Sequence, residues 1–137
     1  MKYRKLGNTN VDVSLLSCGT GGASQFGQRT GLDDAGRAVL VARALELGIN
    51  LFDTAEAYGD AEAMLGKALR GHSRDSYLIA TKWTYRLPDG LANDPNIAIR
   101  SLEQSLRRLK TDYVDIFHIH GILSEHYDQI AEIFIPI

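Results

Sequence analysis

An acid, a phenol, an amine and an imidazole stand at the ends of apolar runs in this chain, or just beyond one: Asp53, Tyr58, Lys82 and His120. The runs are Asn50–Asp53, Tyr77–Lys82 and Tyr113–His120. If they are neighbouring parallel strands, their carboxyl ends converge on one rim and the four groups meet in one pocket. A phenol, with an ordinary pKa of about 10, is a poor acid near neutrality. A nearby ammonium favours its phenolate form. Lys82 could supply that charge, and Asp53 could hold Lys82 in place and protonated. His120 could hydrogen-bond a carbonyl oxygen and orient it. Tyr58 follows Asp53 by five residues, in Asp53-Thr-Ala-Glu-Ala-Tyr-Gly59, which places it on the loop above the strand. Proton transfer of this kind contributes roughly 10²–10⁴ in rate. Each residue alone has a plainer reading: a cap, a packing aromatic, a solvated lysine, a structural histidine. Their occurrence together on three consecutive strands is what points to catalysis.

The elements that must position them alternate. Lys2–Leu6, a turn at Gly7–Asn10 and Val11–Ser14 read as a hairpin. Leu15–Thr20 reads as a first buried strand, and Gly19–Gly31 as a long loop with five glycines. Asp33 is a natural N-cap for a helix carrying Ala38, Val41, Ala42, Leu45 and Leu47, closed by Gly48. A strand over Ile49–Thr54 is followed by a helix over Ala61–Arg70, and a strand over Tyr77–Trp83 by a polar loop with Pro88 and Pro95. A third helix is expected near Asn96–Leu109, with Ile97, Ile99, Leu102, Leu106 and Leu109 marking its apolar face. The fourth strand is Tyr113–His120, and a fourth helix begins near Tyr127. Strict alternation predicts a parallel sheet with helices over one face and a core filling the other. Side chains alternate along a strand, so Leu51 and Asp53 share a face, as do Ala80 and Lys82, and His118 and His120. His118 is expected one layer below His120 in a structural role, Cys18 as a small core residue, and Glu62 as a cap or ion-pair partner at the second helix start.

No Gly-x-Gly-x-x-Gly stretch joins a strand to a helix, which weakens a dinucleotide-binding doubly wound fold. The pattern fits α/β architecture of the N-terminal half of a (β/α)8 barrel: about four parallel β/α units after an N-terminal hairpin. A whole barrel takes about 250 residues, and the chain has 137. Ile130–Ile137 is apolar and uncapped, so residues 1–137 read as one partial domain cut within or near the fourth helix.

The totals narrow the function classes. Apolar residues make up 45% and charged residues 23%, with a net charge of −2. That balance argues against electrostatic binding to nucleic acid or an anionic membrane. The single cysteine rules out an internal disulfide and fits a reducing compartment. Met1-Lys-Tyr-Arg-Lys-Leu-Gly has no apolar core of a signal peptide, and no stretch reaches the roughly 18 apolar residues of a membrane helix. A cytoplasmic location is expected.

These segments resemble the aldo-keto reductases. Gly48-Ile-Asn-Leu-Phe-Asp-Thr-Ala-Glu-Ala-Tyr-Gly59 is similar to the family's most diagnostic motif. Lys2–Ser14 resembles its N-terminal hairpin, Gly19-Thr20 its first-strand end, and Glu62–Leu69 its next helix. Ile79-Ala-Thr-Lys82 and Asp112–His120 complete the likeness. The resemblance implies a (β/α)8 oxidoreductase using NADP or NAD and no metal, acting on a small carbonyl or sugar. Tyr58 would be the acid toward a carbonyl or the base toward an alcohol, tuned by Lys82 and Asp53, with His120 positioning the substrate oxygen. Gly19, Thr20 and Asp53 would border the nicotinamide. Tyr58, Trp83 and His120 would line the substrate pocket. The ending Asp112–His120 with Tyr127-Asp-Gln-Ile130 resembles the sugar dehydrogenase branch, which includes galactose and threo-aldose dehydrogenases.

The family's second half, which grips most of the cofactor, has no counterpart here, and the Gly19–Gly31 loop does not make a phosphate cradle at a helix N-terminus. Three functions are therefore expected to compete: an oxidoreductase; a non-catalytic regulatory or binding module on the same scaffold, like the potassium-channel beta subunits; and a fragment inactive alone that self-associates through open sheet edges.

Overall fold

The computed structural model describes residues 1–135. Strands β1 (Tyr3–Lys5) and β2 (Asp12–Ser14) pair antiparallel with Tyr3 opposite Ser14, forming the expected hairpin. Asn50 ties it to the sheet: its Oδ1 accepts from the Ser14 amide at 2.8 Å and its Nδ2 donates to the Asp12 carbonyl at 2.9 Å.

Four parallel strands make the main sheet in chain order: β3 (Ser17–Gly19), β4 (Leu51–Asp53), β5 (Leu78–Trp83) and, after a separate small hairpin, β8 (Ile116–Ile119). That hairpin, β6 (Arg86–Leu87) with β7 (Gly90–Leu91), lies in the segment expected to be a polar loop. Its signal is Pro88-Asp89, a tight turn between two short runs. Helices α1 (Asp34–Glu46), α2 (Ala61–Ala68), α3 (Pro95–Leu109) and α4 (Tyr127–Phe134) follow the four main strands. Asp33 caps α1 by accepting from the Gly36 amide, and Asp94 caps α3 by accepting from the Asn96 amide, with Pro95 in the first turn. The expected cut within or near the fourth helix runs into Pro136 and Ile137, which lie outside the described residues.

The two faces of the sheet differ. On the helix side Phe52 and Ile79 are buried among Val41, Leu65 and Leu69 of the helices. Each such side chain contributes about 1.5–3 kcal/mol on burial. Gly66 lets α2 and α3 touch, because a Cβ there would strike the Leu109 carbonyl. The inner side is only half-covered: Leu51, Leu78 and Ile116 are partly exposed and His118 is exposed. The expectation of cores on both faces therefore holds for the helix side alone. The first strand is not buried either, since Leu15 and Leu16 are exposed and β3 is an edge strand paired only with β4. Cys18 is half-buried against the core.

Helix α3 also turns differently from its apolar pattern. Ala98, Ser105 and Leu109 are the buried residues, and Ile99 is exposed. Polar partners on α2 draw this face inward. Glu62, fully buried, accepts from the Thr81 hydroxyl and from Arg108 Nε, both at 2.6 Å. Glu62 thus pairs, as expected, and joins α2, β5 and α3.

Candidate active site

The register brings the strand ends level. Gly19 sits opposite Asp53, and Lys82 opposite His118. Asp53, Lys82 and the residues just past each strand therefore share the carboxyl rim. The chain beyond β4 is held there by backbone bonds: the Thr54 amide donates to the Ala80 carbonyl at 2.8 Å, and the Glu56 amide to the Lys82 carbonyl at 3.1 Å. The Tyr58 amide closes a turn on Ala55. The His120 amide donates to the Trp83 carbonyl at 2.8 Å, extending β8 by one bond to the rim.

The four residues meet. Lys82 Nζ donates to Asp53 Oδ1 and to the Thr54 carbonyl, both at 2.7 Å. The same ammonium lies 5.0 Å from the centre of the Tyr58 ring. The rings of Tyr58 and His120 meet edge to face, 5.4 Å between centres. Burial is the main influence holding the His120 pKa below its ordinary value of 6.5. The Lys82 ammonium pushes in the same direction, and the carboxylates of Asp53 and Glu56 oppose it. The imidazole is therefore held neutral, able to donate through one ring nitrogen. The cluster can give a proton from a phenol, place a cation beside the phenolate left behind and hydrogen-bond a substrate oxygen.

Two further rim hydroxyls, Thr20 Oγ1 and Thr54 Oγ1, are fully buried and have no hydrogen-bond partner among the described residues. Gly19 has open space where a side chain would stand. The open space at Gly19 leaves the backbone at this strand end uncovered beside Asp53, while the two threonine hydroxyls are sealed from solvent.

Trp83 does not join the group. It is 2% exposed and packs against Phe134 with ring centres 4.8 Å apart. The alternation that sends Lys82 to the rim turns Trp83 to the helix layer, apart from Tyr58, Lys82 and His120. Sequence reasoning missed Glu56. Its carboxylate accepts from the Thr84 amide and the Ser101 hydroxyl, both at 2.6 Å, tying the Tyr58 loop to β5 and α3. Only its place between Asp53 and Tyr58 hinted at this; Ser101 is 45 residues away.

Residues 18–135 match the Aldo/keto reductase family. The chain belongs to this family. Its relatives include an L-galactose dehydrogenase of Arabidopsis thaliana, 38% identical over 99% of this chain and 43% of the relative. A 6-dehydroglucose reductase of Novosphingobium aromaticivorans is 34% identical over 92% of this chain and 44% of its own length. A solved structure described as an aldo-keto reductase of Pseudomonas aeruginosa superposes with a TM-score of 0.78 at 37% identity, covering 96% of this chain and 51% of that one. This aldo/keto reductase chain thus spans about half the length of the proteins it matches. Its four parallel β/α units and hairpin are the N-terminal half of a (β/α)8 barrel.

Proposed function

We propose that residues 1–137 form part of an NAD(P)-dependent oxidoreductase domain that interconverts a carbonyl, or an aldose, with its alcohol or lactone partner. The observation that carries this reading is the meeting of Tyr58 with both the Lys82 ammonium and the His120 ring. Gly19, Thr20 and Asp53 would border a nicotinamide, which would supply hydride in reduction and accept it in oxidation. Tyr58 gives its proton to the substrate oxygen in reduction and takes it back in oxidation. Lys82 stabilises the phenolate, and Asp53 holds the Lys82 side chain in place. Neutral His120 donates to the substrate oxygen and fixes its approach. These fixed dipoles and charges lie where negative charge develops, which is how such sites lower a barrier. A sugar is the favoured substrate class, because the relatives at 38% and 34% identity are named for galactose and dehydroglucose.

The test is oxidation of a panel of aldoses with NAD and with NADP by the protein that carries this chain. The expected result is reduced nicotinamide together with a lactone. Protein that binds neither nucleotide and turns over no aldose or aldehyde would contradict the proposal and favour a regulatory module on the same scaffold.

A further inference from the structure

The loop between β3 and α1 is rich in glycine, yet the mechanism above uses only its first residues. It is anchored firmly. Phe26 is buried in the helix-side core, and its carbonyl accepts from Nε of the buried Arg37 at 2.9 Å. Gln25 and Phe26 both have positive φ, 46° and 56°. Left-handed backbone costs a residue with a side chain on the order of 1 kcal/mol, and it persists where the surroundings over-determine it. Here it turns Gln28 toward the Tyr58 loop.

Gln28 makes three hydrogen bonds, two of them to that loop. Its Nε2 donates to the carbonyls of Gln25 at 2.8 Å and Tyr58 at 3.0 Å, and its Oε1 accepts from the Asp60 amide at 3.1 Å. One side chain thus bridges the backbone on both sides of Gly59. A second contact comes from the same loop. A Cβ on Gly21 would stand 2.8 Å from Cε2 and Cζ of the Tyr58 ring, so the Gly21 backbone lies against the carbon that bears the hydroxyl.

We propose that Gln28 is a positioning residue for Tyr58, with Gly21 as the contact that limits the ring. The glycine-rich loop acts as a clamp on the phenol. Ala57, Gly59 and Asp60 are exposed, so this side of the Tyr58 loop has little packing of its own, and Glu56 ties the loop only from the other side. A displacement of about 1 Å at a reacting group costs on the order of 10²-fold in rate. The consequence for rate rests on Tyr58 being the proton-transferring group; the clamp itself does not.

The experiment reads ring position instead of turnover. The chain is labelled with 3-fluorotyrosine, and ¹⁹F NMR resolves its six tyrosines. The Tyr58 line is assigned by its loss in Tyr58→Phe. In Gln28→Ala that line shifts and broadens while the other five stay. Gln28→Glu keeps the acceptor for Asp60 and loses the donor to Tyr58, and gives the same change. Gly21→Ala presses on the ring directly and displaces the line even if the Gln28 variants fail to fold. A Tyr58 line unmoved in folded Gln28→Ala, or unmoved in Gly21→Ala, would overturn the proposal. Full turnover in Tyr58→Phe would remove the catalytic reading and leave the clamp standing.

Discussion

Arg74–Asp115 and Lys82–Asp53 are ion pairs of nearly equal length, 2.6 and 2.7 Å, at opposite ends of one sheet. At the amino end all three guanidinium nitrogens of Arg74 are engaged. It donates to the carbonyls of Tyr77 and Tyr113 and to the Thr111 hydroxyl, and its guanidinium lies 3.8 Å from the centre of the Tyr113 ring. Asp115 accepts in turn from the Ile79 amide. At the carboxyl rim the pair is similarly tight, but its neighbours are not saturated. The Tyr58 hydroxyl and the His120 ring make no side-chain hydrogen bond among the described residues, and two buried threonine hydroxyls lack partners. A pair whose surroundings are saturated fixes strand positions. A pair surrounded by unused donors and acceptors has capacity for a ligand.

Three variants break this comparison, in order of effect. Tyr58→Phe removes the proton and keeps the ring, so turnover should fall roughly 10²–10⁴-fold, with the denaturant midpoint unchanged. Steady-state kinetics beside urea unfolding checks both halves. Asp115→Ala leaves Arg74 and the Ile79 amide unpartnered at a site under one-quarter exposed. It should lower stability by about 1–3 kcal/mol while the rim groups keep their geometry, read by urea unfolding and by the His120 resonance. Glu56→Gln stands between the two regions. It keeps one acceptor for Thr84 or Ser101 but forfeits the charge, so a modest stability loss of about 1 kcal/mol should accompany a fall in turnover, up to about 10²-fold if Tyr58 moves by an ångström.

Most of the rim was legible in the sequence because it is local. The run Asp53-Thr-Ala-Glu-Ala-Tyr58 sets strand end and loop together, and the parallel order follows from strict strand–helix alternation. Alternation also contained the answer for Trp83, since Lys82 and its neighbour cannot share a face. What stayed hidden depends on separations that no pattern encodes. Gln28 reaches Tyr58 across 30 residues and Glu56 reaches Ser101 across 45. The exposed first strand was hidden for another reason. Leu15 and Leu16 are apolar enough for a buried strand, but edge position is a property of the assembled sheet. The inward turn of α3 follows from Glu62 binding Arg108, a polar pairing that a count of apolar residues misses.

The most direct check on the rim is the titration of His120 by NMR of the histidine-labelled chain. Its folded pKa is lowered, by burial first and by Lys82 next. The unfolded chain therefore gains a proton as pH falls through about 6.5, where folded His120 does not. The group contributes nothing to stability above that range and erodes it below. The wild-type midpoint should lie under 6.5 and rise in Lys82→Met, which removes the ammonium and leaves the opposing carboxylates of Asp53 and Glu56. A midpoint at 6.5 that ignores Lys82→Met would mean that the imidazole and the ammonium do not share a site, and would contradict the account.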